Sequence, residues 1–182
     1  MSRTVRRGAA ALLAAVLAAI LLPLSAGAST DPDGNGPQTW ALTTATVDGP
    51  DGRGVFQYIV DPDDVYEDFL AVRNFGEQEL TVAVYAQDAL QTSEHGFEVL
   101  TSDEQARRIG AWTTIEATEV TVPARASVVI PFSIAVPADA EPGDHAGAIV
   151  AVSTPPAESG TTVQYRTGTR VYMRVAGPVE AG

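Results

Sequence analysis

The segments LTVAVYAQ, residues 80–87, and VVIPFSIAV, residues 128–136, both place an apolar side chain at every second position. Side chains of a β-strand alternate between the two faces of a sheet, so this period of two predicts strands that each turn one face to a core. A third segment, VQYRTGTRVYMRV at residues 163–175, repeats the pattern with arginines on its polar face. Half-buried strands are therefore the predicted building blocks of the chain.

Outward from these segments, shorter apolar stretches alternate with turns rich in Gly, Pro and Asp. Further strands are predicted at residues 40–47, 55–60, 69–74, 97–100, 112–115 and 119–122. Short strands separated by turns every 8 to 12 residues or so are typical of a sandwich. The predicted fold class is all-β, an immunoglobulin-like antiparallel β-sandwich.

Three local features refine this prediction. GAIVAV, residues 147–152, is apolar at every position, which indicates a central strand covered on both faces. Pro131 has no N–H to donate, so its strand is expected to lie at an edge or to carry a bulge. One or two helical turns are predicted over residues 102–108, where Ser102 and Gln105 have the spacing of a capping box.

The N-terminal segment, residues 1–28, has the pattern of a signal peptide. Arginines precede an apolar run at residues 9–24, and Ala26 and Ala28 supply the small side chains that signal peptidase requires. We expect cleavage after Ala28 by the general secretion route, in preference to twin-arginine export or an uncleaved anchor. The product would be exported, extracellular or cell-wall associated, with no membrane span after cleavage.

The rest of the chain divides into three predicted parts. Residues 29–38 are an acidic, flexible linker, residues 39–176 the sandwich, and residues 177–182 a C-terminal linker stub.

Composition excludes several classes of function. The chain has no Cys, which rules out disulfides, a cysteine nucleophile and a thiolate zinc site. Eleven basic residues, all of them Arg, face 23 acidic ones, for a net charge of −12. Removal of the leader's three arginines gives 8 − 23 = −15. Such a chain repels phosphates, so nucleic acid is not an expected partner.

Motifs for catalysis and metal binding are incomplete. There is no G-x-S-x-G, and His95 and His145 are the only histidines. The acidic stretch at residues 31–36 begins like a calcium loop, but Leu42 stands where a bidentate glutamate is needed. The aspartates within residues 61–64 are interpreted as a solvated turn. We predict a non-enzyme with no metal and no cofactor.

Ligand binding at the protein surface is the class of function that remains, and the last strand contains the best candidate residues for it. Arg166, Arg170 and Arg174 share one face at spacings of about 13 Å, and Tyr172 lies among them. Guanidinium groups bind carboxylates or phosphates through paired hydrogen bonds. The alternative is cross-strand pairing with acidic residues, or protection of an exposed edge. Trp112 is a further candidate ligand residue, since an exposed aromatic ring can stack on a sugar.

Seven short pieces also carry a family resemblance when taken in order. They are Asn74, LTV at residues 80–82, YAQDA at 85–89, GAW at 110–112, VPA at 122–124, VPADAEPGDHAG at 136–147 and GTRVYMRV at 168–175. In this order the chain resembles the N-terminal domain of WxL-interacting cell-surface proteins of Gram-positive bacteria, in an actinobacterial version. The resemblance implies an immunoglobulin-like fold and peptidoglycan binding.

The chain also departs from that family. Asp63 stands where the family has a Pro-Gly turn. Family members usually continue into a second sandwich domain and a membrane helix, whereas this sequence ends at Gly182. We therefore expect a truncated relative, a fragment or a released single-domain form.

Two functions of different kinds follow as hypotheses. The first is an exported cell-surface module that binds peptidoglycan or an associated wall polymer. The second is a structural or protein-interaction spacer of a surface complex, whose sandwich edge pairs with a neighbouring protein by strand addition.

Overall fold

A computed structural model describes residues 39–92, 96–155 and 162–178. The predicted leader with Ala26 and Ala28, the linker, the calcium-like stretch, His95 and the last residues of the stub lie outside this part of the chain. The elements it describes are β1 (Trp40–Thr46), β2 (Gly49–Pro50), β3 (Phe56–Val60), β4 (Val65–Asn74), β5 (Leu80–Thr92), β6 (Gly96–Val99), α1 (Ile109–Trp112), β7 (Thr113–Ile115), β8 (Glu119–Val122), β9 (Ser127–Ala135), β10 (Gly143–Ser153) and β11 (Tyr165–Val175).

The strands form two sheets. The first sheet has the order β2-β1-β4-β9-β7, and the second has β3-β11-β10-β5-β6 with β8 also paired to β5. The buried hydrophobic side chains of the two sheets form one core cluster, as in an immunoglobulin-like sandwich. Phe56 of the second sheet and Phe132 of the first meet edge to face in this core, with ring centroids 5.0 Å apart. The predicted fold class is thus confirmed.

One strand pair departs from the antiparallel prediction. β3 runs parallel to β11, whereas the other paired strands run antiparallel. A parallel pair needs a long connection between its strands, and here most of the sandwich lies between them. β3 instead passes to β4 of the other sheet through the short turn at residues 61–64.

The predicted alternation holds in the first half of β5. Leu80, Val82 and Val84 are buried, while Thr81 and Ala83 are exposed. β10 lies between β11 and β5, which confirms the central position predicted for residues 147–152. At the start of the last strand the prediction fails: Val163 and Tyr165 are 48% and 43% exposed.

At Pro131, β9 is paired with a strand on one side only. β9 pairs with β4 along its length, but with β7 only at residues 132–134. The carbonyl of Pro131 accepts a hydrogen bond from the N–H of Glu116, just past the end of β7. Because N and C=O of a strand residue point the same way, the missing N–H also faces that side. The ladder with β4 therefore loses no hydrogen bond. β9 itself is not the edge strand that the sequence predicted, because β7 lies on its other side; only the stretch around Pro131 runs past the end of β7.

The predicted helix is misplaced. α1 covers Ile109–Trp112, and residues 102–108 form turns and irregular structure. The capping-box pattern is made one residue earlier, where the N–H and hydroxyl of Thr101 both donate to the carboxylate of Glu104, at 2.6 and 2.8 Å. No helix follows that turn, because the chain is instead held against β5, as described below.

A charged cluster joins the two sheets where β3 of the second sheet faces β4 of the first. Arg53 binds Asp68 of the first sheet through two hydrogen bonds of 2.7 and 2.9 Å, and the hydroxyl of Tyr58 in the second sheet donates to the same carboxylate at 2.7 Å. Burial raises the pKa of Tyr58 well above its ordinary value, and the hydrogen bond to Asp68 adds to the effect. This tyrosine therefore stays neutral and acts as a donor.

Candidate functional site

The outward side chains of β11 bring the predicted site residues together. Arg166, Arg170 and Arg174 are exposed and alternate with the buried Val171 and Met173. Tyr172 shares their side and is half-buried. We call this surface, formed by the three arginines and Tyr172, the arginine face.

Arg174 is already engaged on this face. It lies directly opposite Asp144 of β10 and donates to both carboxylate oxygens, at 2.6 and 2.7 Å. The hydrogen bonds from Arg174 lower the pKa of Asp144, and those to Asp144 raise the pKa of Arg174. Cross-strand pairing, the alternative interpretation of the arginine row, is therefore correct for this residue.

Arg166 and Arg170 are held differently. Their guanidinium carbons lie over the rings of Tyr85 and Phe97, 5.8 and 4.9 Å from the ring centroids. Arg166 also donates to the carbonyl of Leu100 at 3.4 Å. Within the described ranges, neither arginine forms an ion pair with a carboxylate. Stacking fixes each guanidinium plane while its N–H donors remain available to a ligand.

The local charge is opposite to that of the chain. The outward side chains of β5 and β10 over residues 81–89 and 144–152 include one carboxylate, Asp144. Glu119 of β8, opposite the outward Ala83, adds a second carboxylate on the far side of β5. Three arginines against these two carboxylates leave a positive surface around β11 on a protein of net charge −12. Such a patch attracts anions locally even though the whole molecule is acidic.

Trp112 does not join the arginine face. It lies at the end of α1, packs against the hydrophobic core and contacts the ring of His145, with centroids 5.0 Å apart. His145 points to the inner side of β10, away from Tyr172. The proposed role of Trp112 as a ligand residue beside the arginines therefore has no geometric basis.

His145 has a structural environment. It is 5% exposed, and its Nε2 is 2.7 Å from the carbonyl oxygen of Glu141. Its Nδ1 is buried and has no partner among the described residues. A ring buried in this way and held by a main-chain carbonyl has the environment of a structural residue.

The acidic turn at residues 61–64 is held by its own hydrogen bonds. Asp64 accepts from the hydroxyl of Tyr66 at 3.1 Å and from the N–H of Asp61 at 3.3 Å. In the part of the chain that the structure describes, no group of three or more potential ligand side chains is arranged for a metal ion.

A latch beside the arginine face was not predicted. The buried carboxylate of Asp88 accepts hydrogen bonds from the N–H groups of Arg107, Arg108 and Gly110, at 2.7 to 3.3 Å. Gln87 donates to two carbonyls of the same loop, at 2.7 and 2.9 Å. We call this arrangement the 87–88 latch. It holds residues 101–110 on the surface of β5 and explains why Gln87, predicted to face solvent, is buried.

The comparisons with known proteins bear on the fold. No protein-family model matches the sequence, and no curated protein matches it either. A family 123 glycoside hydrolase from Clostridium perfringens is similar with a TM-score of 0.52 and 10% identity, over 79% of this chain and 28% of that chain.

Two further solved structures are similar at lower scores. A PapD-like domain of human CEP192 has a TM-score of 0.48 and 10% identity, over 92% of this chain and 100% of that one. The YadV chaperone has 0.45 and 12%, over 76% of this chain and 52% of that one. Sequence identities as low as these show a similarity of fold alone. The chain has the immunoglobulin-like β-sandwich fold. None of the described residues forms a helix long and apolar enough to cross a membrane.

Proposed function

We propose that this chain is an exported, non-catalytic cell-surface module that binds peptidoglycan, or a polymer attached to it, through the acidic groups of that polymer. The observation that carries the proposal is the arginine face. On a chain of net charge −12, it holds Arg166 and Arg170 with no carboxylate paired to either in the described ranges. The resemblance to the peptidoglycan-binding domain of WxL-interacting proteins and the signal-peptide pattern support the same reading.

The chemistry of the face favours carboxylates over sugar rings. Stacking on a sugar requires an open aromatic face. Here Tyr85 and Phe97 carry arginines over their rings, and Tyr172 meets Phe97 edge to face at 5.9 Å. The groups that remain for a ligand are guanidinium donors, whose preferred partners are carboxylates and phosphates.

The test is co-sedimentation of residues 29–182 with purified peptidoglycan sacculi at low salt. Retention is expected, together with its loss at about 1 M salt, where the Debye length is about 3 Å. Arg166→Ala and Arg170→Ala should each weaken retention several-fold. Arg73→Ala is the matched control, because Arg73 is exposed on the first sheet, where it stacks on Phe75. Absence of retention at low salt, or equal weakening by the control, would overturn the proposal.

One observation favours the second candidate, a spacer that adds a strand from a partner. β3 is an outer strand of its sheet, and in the described ranges it pairs with β11 alone. It carries no Pro or charged residue, and Ile59 is 78% exposed. Such an edge is open to another chain. Ile59→Lys would then abolish a crosslink formed on intact cells without changing retention on sacculi.

A further inference from the structure

The outer face of the first sheet, on the side away from the core, is largely apolar. Leu70 and Val72 of β4 belong to the core, so the odd-numbered residues of this strand point outward. The side chains next to them on this face are small or apolar: Ala41, Thr43 and Ala45 of β1, and Val129 and Pro131 of β9. A sheet face in contact with solvent normally carries polar side chains, so this composition indicates a surface that another protein covers.

The outward row of β4 is complementary to itself about Leu70. In chain order its members are Val65, Glu67, Phe69, Ala71, Arg73 and Phe75, the last just past the strand with the guanidinium of Arg73 over its ring at 4.9 Å. Residues at equal distances from Leu70 form three matched pairs: an exposed aliphatic with an exposed aromatic side chain, an acid with a base, and a large with a small side chain. Such a row complements a second copy that runs in the opposite direction.

The two charges of this row have no partners of their own. Glu67 and Arg73 are exposed, and within the described ranges neither forms an ion pair. They are too far apart to pair with each other, because six positions along a strand span about 20 Å. Glu116, just past β7, adds a carboxylate at the rim, and the acidic turn at residues 61–64 lies beyond the end of the row. Repulsion between two copies of this acidic chain is therefore smaller at the row than at the acidic turns.

We propose that two copies of this chain pack through these outer faces, related by a two-fold axis that crosses β4 at Leu70. The two β4 strands then face each other in opposite directions, and Glu67 of each copy meets Arg73 of the other. Phe69 lies over Ala71 of the other copy, where no large side chain obstructs it. A two-fold axis along the strands would instead place each charge against its like, which disfavours that arrangement.

The size of the face determines how strongly the copies associate. Four strands about 4.8 Å apart, over a length of about 30 Å, give roughly 600 Å² per copy. Specific interfaces begin at about 1,200 Å² in total, so the dimer is weak and its population depends on protein concentration. The arginine face belongs to the second sheet and stays exposed in both copies, so the inference does not depend on the proposed function. The sacculus assay, run at protein concentrations too low for dimerisation, keeps Arg73→Ala as a valid control.

Sedimentation equilibrium of residues 29–182, from micromolar to millimolar protein, tests the inference. The unmutated protein is expected to dimerise. Glu67→Arg and Arg73→Glu should each weaken dimerisation at least about tenfold, because each substitution sets like charges against one another at two symmetric places. An equimolar mixture of the two variants should regain it, since every charge then faces its opposite. Glu119→Arg is the matched control, because it makes the same change of charge at an exposed position of the second sheet.

The outcomes are distinct from those of the sacculus experiment. A chain that stays monomeric at millimolar concentration, equal weakening by Glu119→Arg, or a mixture that associates no better than its separate components would overturn the inference. Net charge alone predicts the opposite result for Glu67→Arg, since a less acidic chain repels itself less. Recovery in the mixture also shows that both variants fold, and circular dichroism checks each one alone. Retention on sacculi by a strictly monomeric protein would remove the dimer only, and dimerisation without retention would remove the proposed function only.

Discussion

Arg174 and Asp144 form a two-pronged ion pair directly across the β10–β11 ladder, with N–O distances of 2.6 and 2.7 Å. Asp144 therefore reduces the positive charge of the arginine face. It neutralises one of three cations at the end of the row, while Arg166 and Arg170 stack on aromatic rings. The positive surface is thus concentrated on the half that adjoins Leu100.

Asp144→Asn is expected to strengthen retention on sacculi, because it releases the donors of Arg174 and removes a negative charge. Arg174→Ala alone should weaken retention, because it leaves the negative charge of Asp144 unpaired on the face, and the double variant should return to the retention of the unmutated protein. Asp48→Asn, in an exposed turn, controls for the change in net charge. Co-sedimentation over a salt series measures all four proteins. Equal retention of Asp144→Asn and Asp48→Asn would contradict this account.

Asp68 should make the free energy of unfolding of the sandwich depend on pH. Burial acts to raise its pKa, but the hydrogen bonds from Arg53 and Tyr58 outweigh burial, so the pKa of Asp68 lies below its ordinary value. Its stabilisation is then complete above the unfolded-state pKa of about 4 and is lost as the pH falls through the lower folded-state pKa.

Asp68→Asn is accordingly expected to lose about 1–3 kcal/mol of unfolding free energy at pH 7, since it weakens a partly exposed cluster and leaves Arg53 without its main partner. Urea denaturation at pH 7 and at about pH 3 measures the difference, which should shrink in acid. Asp48→Asn should match the unmutated protein at both pH values. A difference that stays constant with pH would show that the carboxylate's charge is not the cause.

The strands and the arginine face could be predicted from the sequence because both depend on the alternation of apolar and polar residues along a strand. Once a strand buries Val171 and Met173, the chain geometry forces Arg170, Tyr172 and Arg174 to the other side. The same reasoning identified β10 as central from its unbroken apolar run. These features need no knowledge of which strands are neighbours.

The 87–88 latch could not be predicted, because the groups that Gln87 and Asp88 bind lie in an irregular loop. Asp88 binds the main-chain N–H groups of residues 107, 108 and 110, which carry no side-chain signal. The partly buried position of Trp112 likewise depends on α1 packing against β10, which no local pattern in the sequence shows. The one local hint was a pair of glycines, Gly110 and Gly147, which mark a close approach of backbones.

Asp63 adopts a left-handed backbone conformation, with φ of +75°, which glycine adopts without strain. This conformation costs a non-glycine residue about 1 kcal/mol. Asp63→Gly is therefore expected to raise the unfolding free energy by up to about 1 kcal/mol, or a few degrees in Tm. Asp139→Gly is the matched control, because Asp139 has an ordinary φ and should lose stability. Thermal unfolding measures the change in Tm of each variant. If both variants raised Tm, or both lowered it, the prediction would be contradicted.

α1 reaches β10 only because Gly147 has no side chain. A Cβ at this position would lie 2.7 Å from Cγ2 of Ile109 and 2.9 Å from the carbonyl oxygen of Gln87. Gly147→Ala is therefore expected to cost about 1–3 kcal/mol of unfolding free energy, as overpacking of a close-packed core does. Gly168→Ala, whose Cβ would be 3.3 Å from the nearest atom, should cost less.

The double variant Ile109→Ala with Gly147→Ala separates this clash from a general effect of alanine. Removing the Ile109 side chain opens space for the new methyl group, so Gly147→Ala should cost less in that background than in the unmutated protein. Part of its cost remains, because the carbonyl of Gln87 does not move with Ile109. Urea denaturation of the four proteins measures the coupling, and additive effects would show that α1 does not depend on the close approach at Gly147.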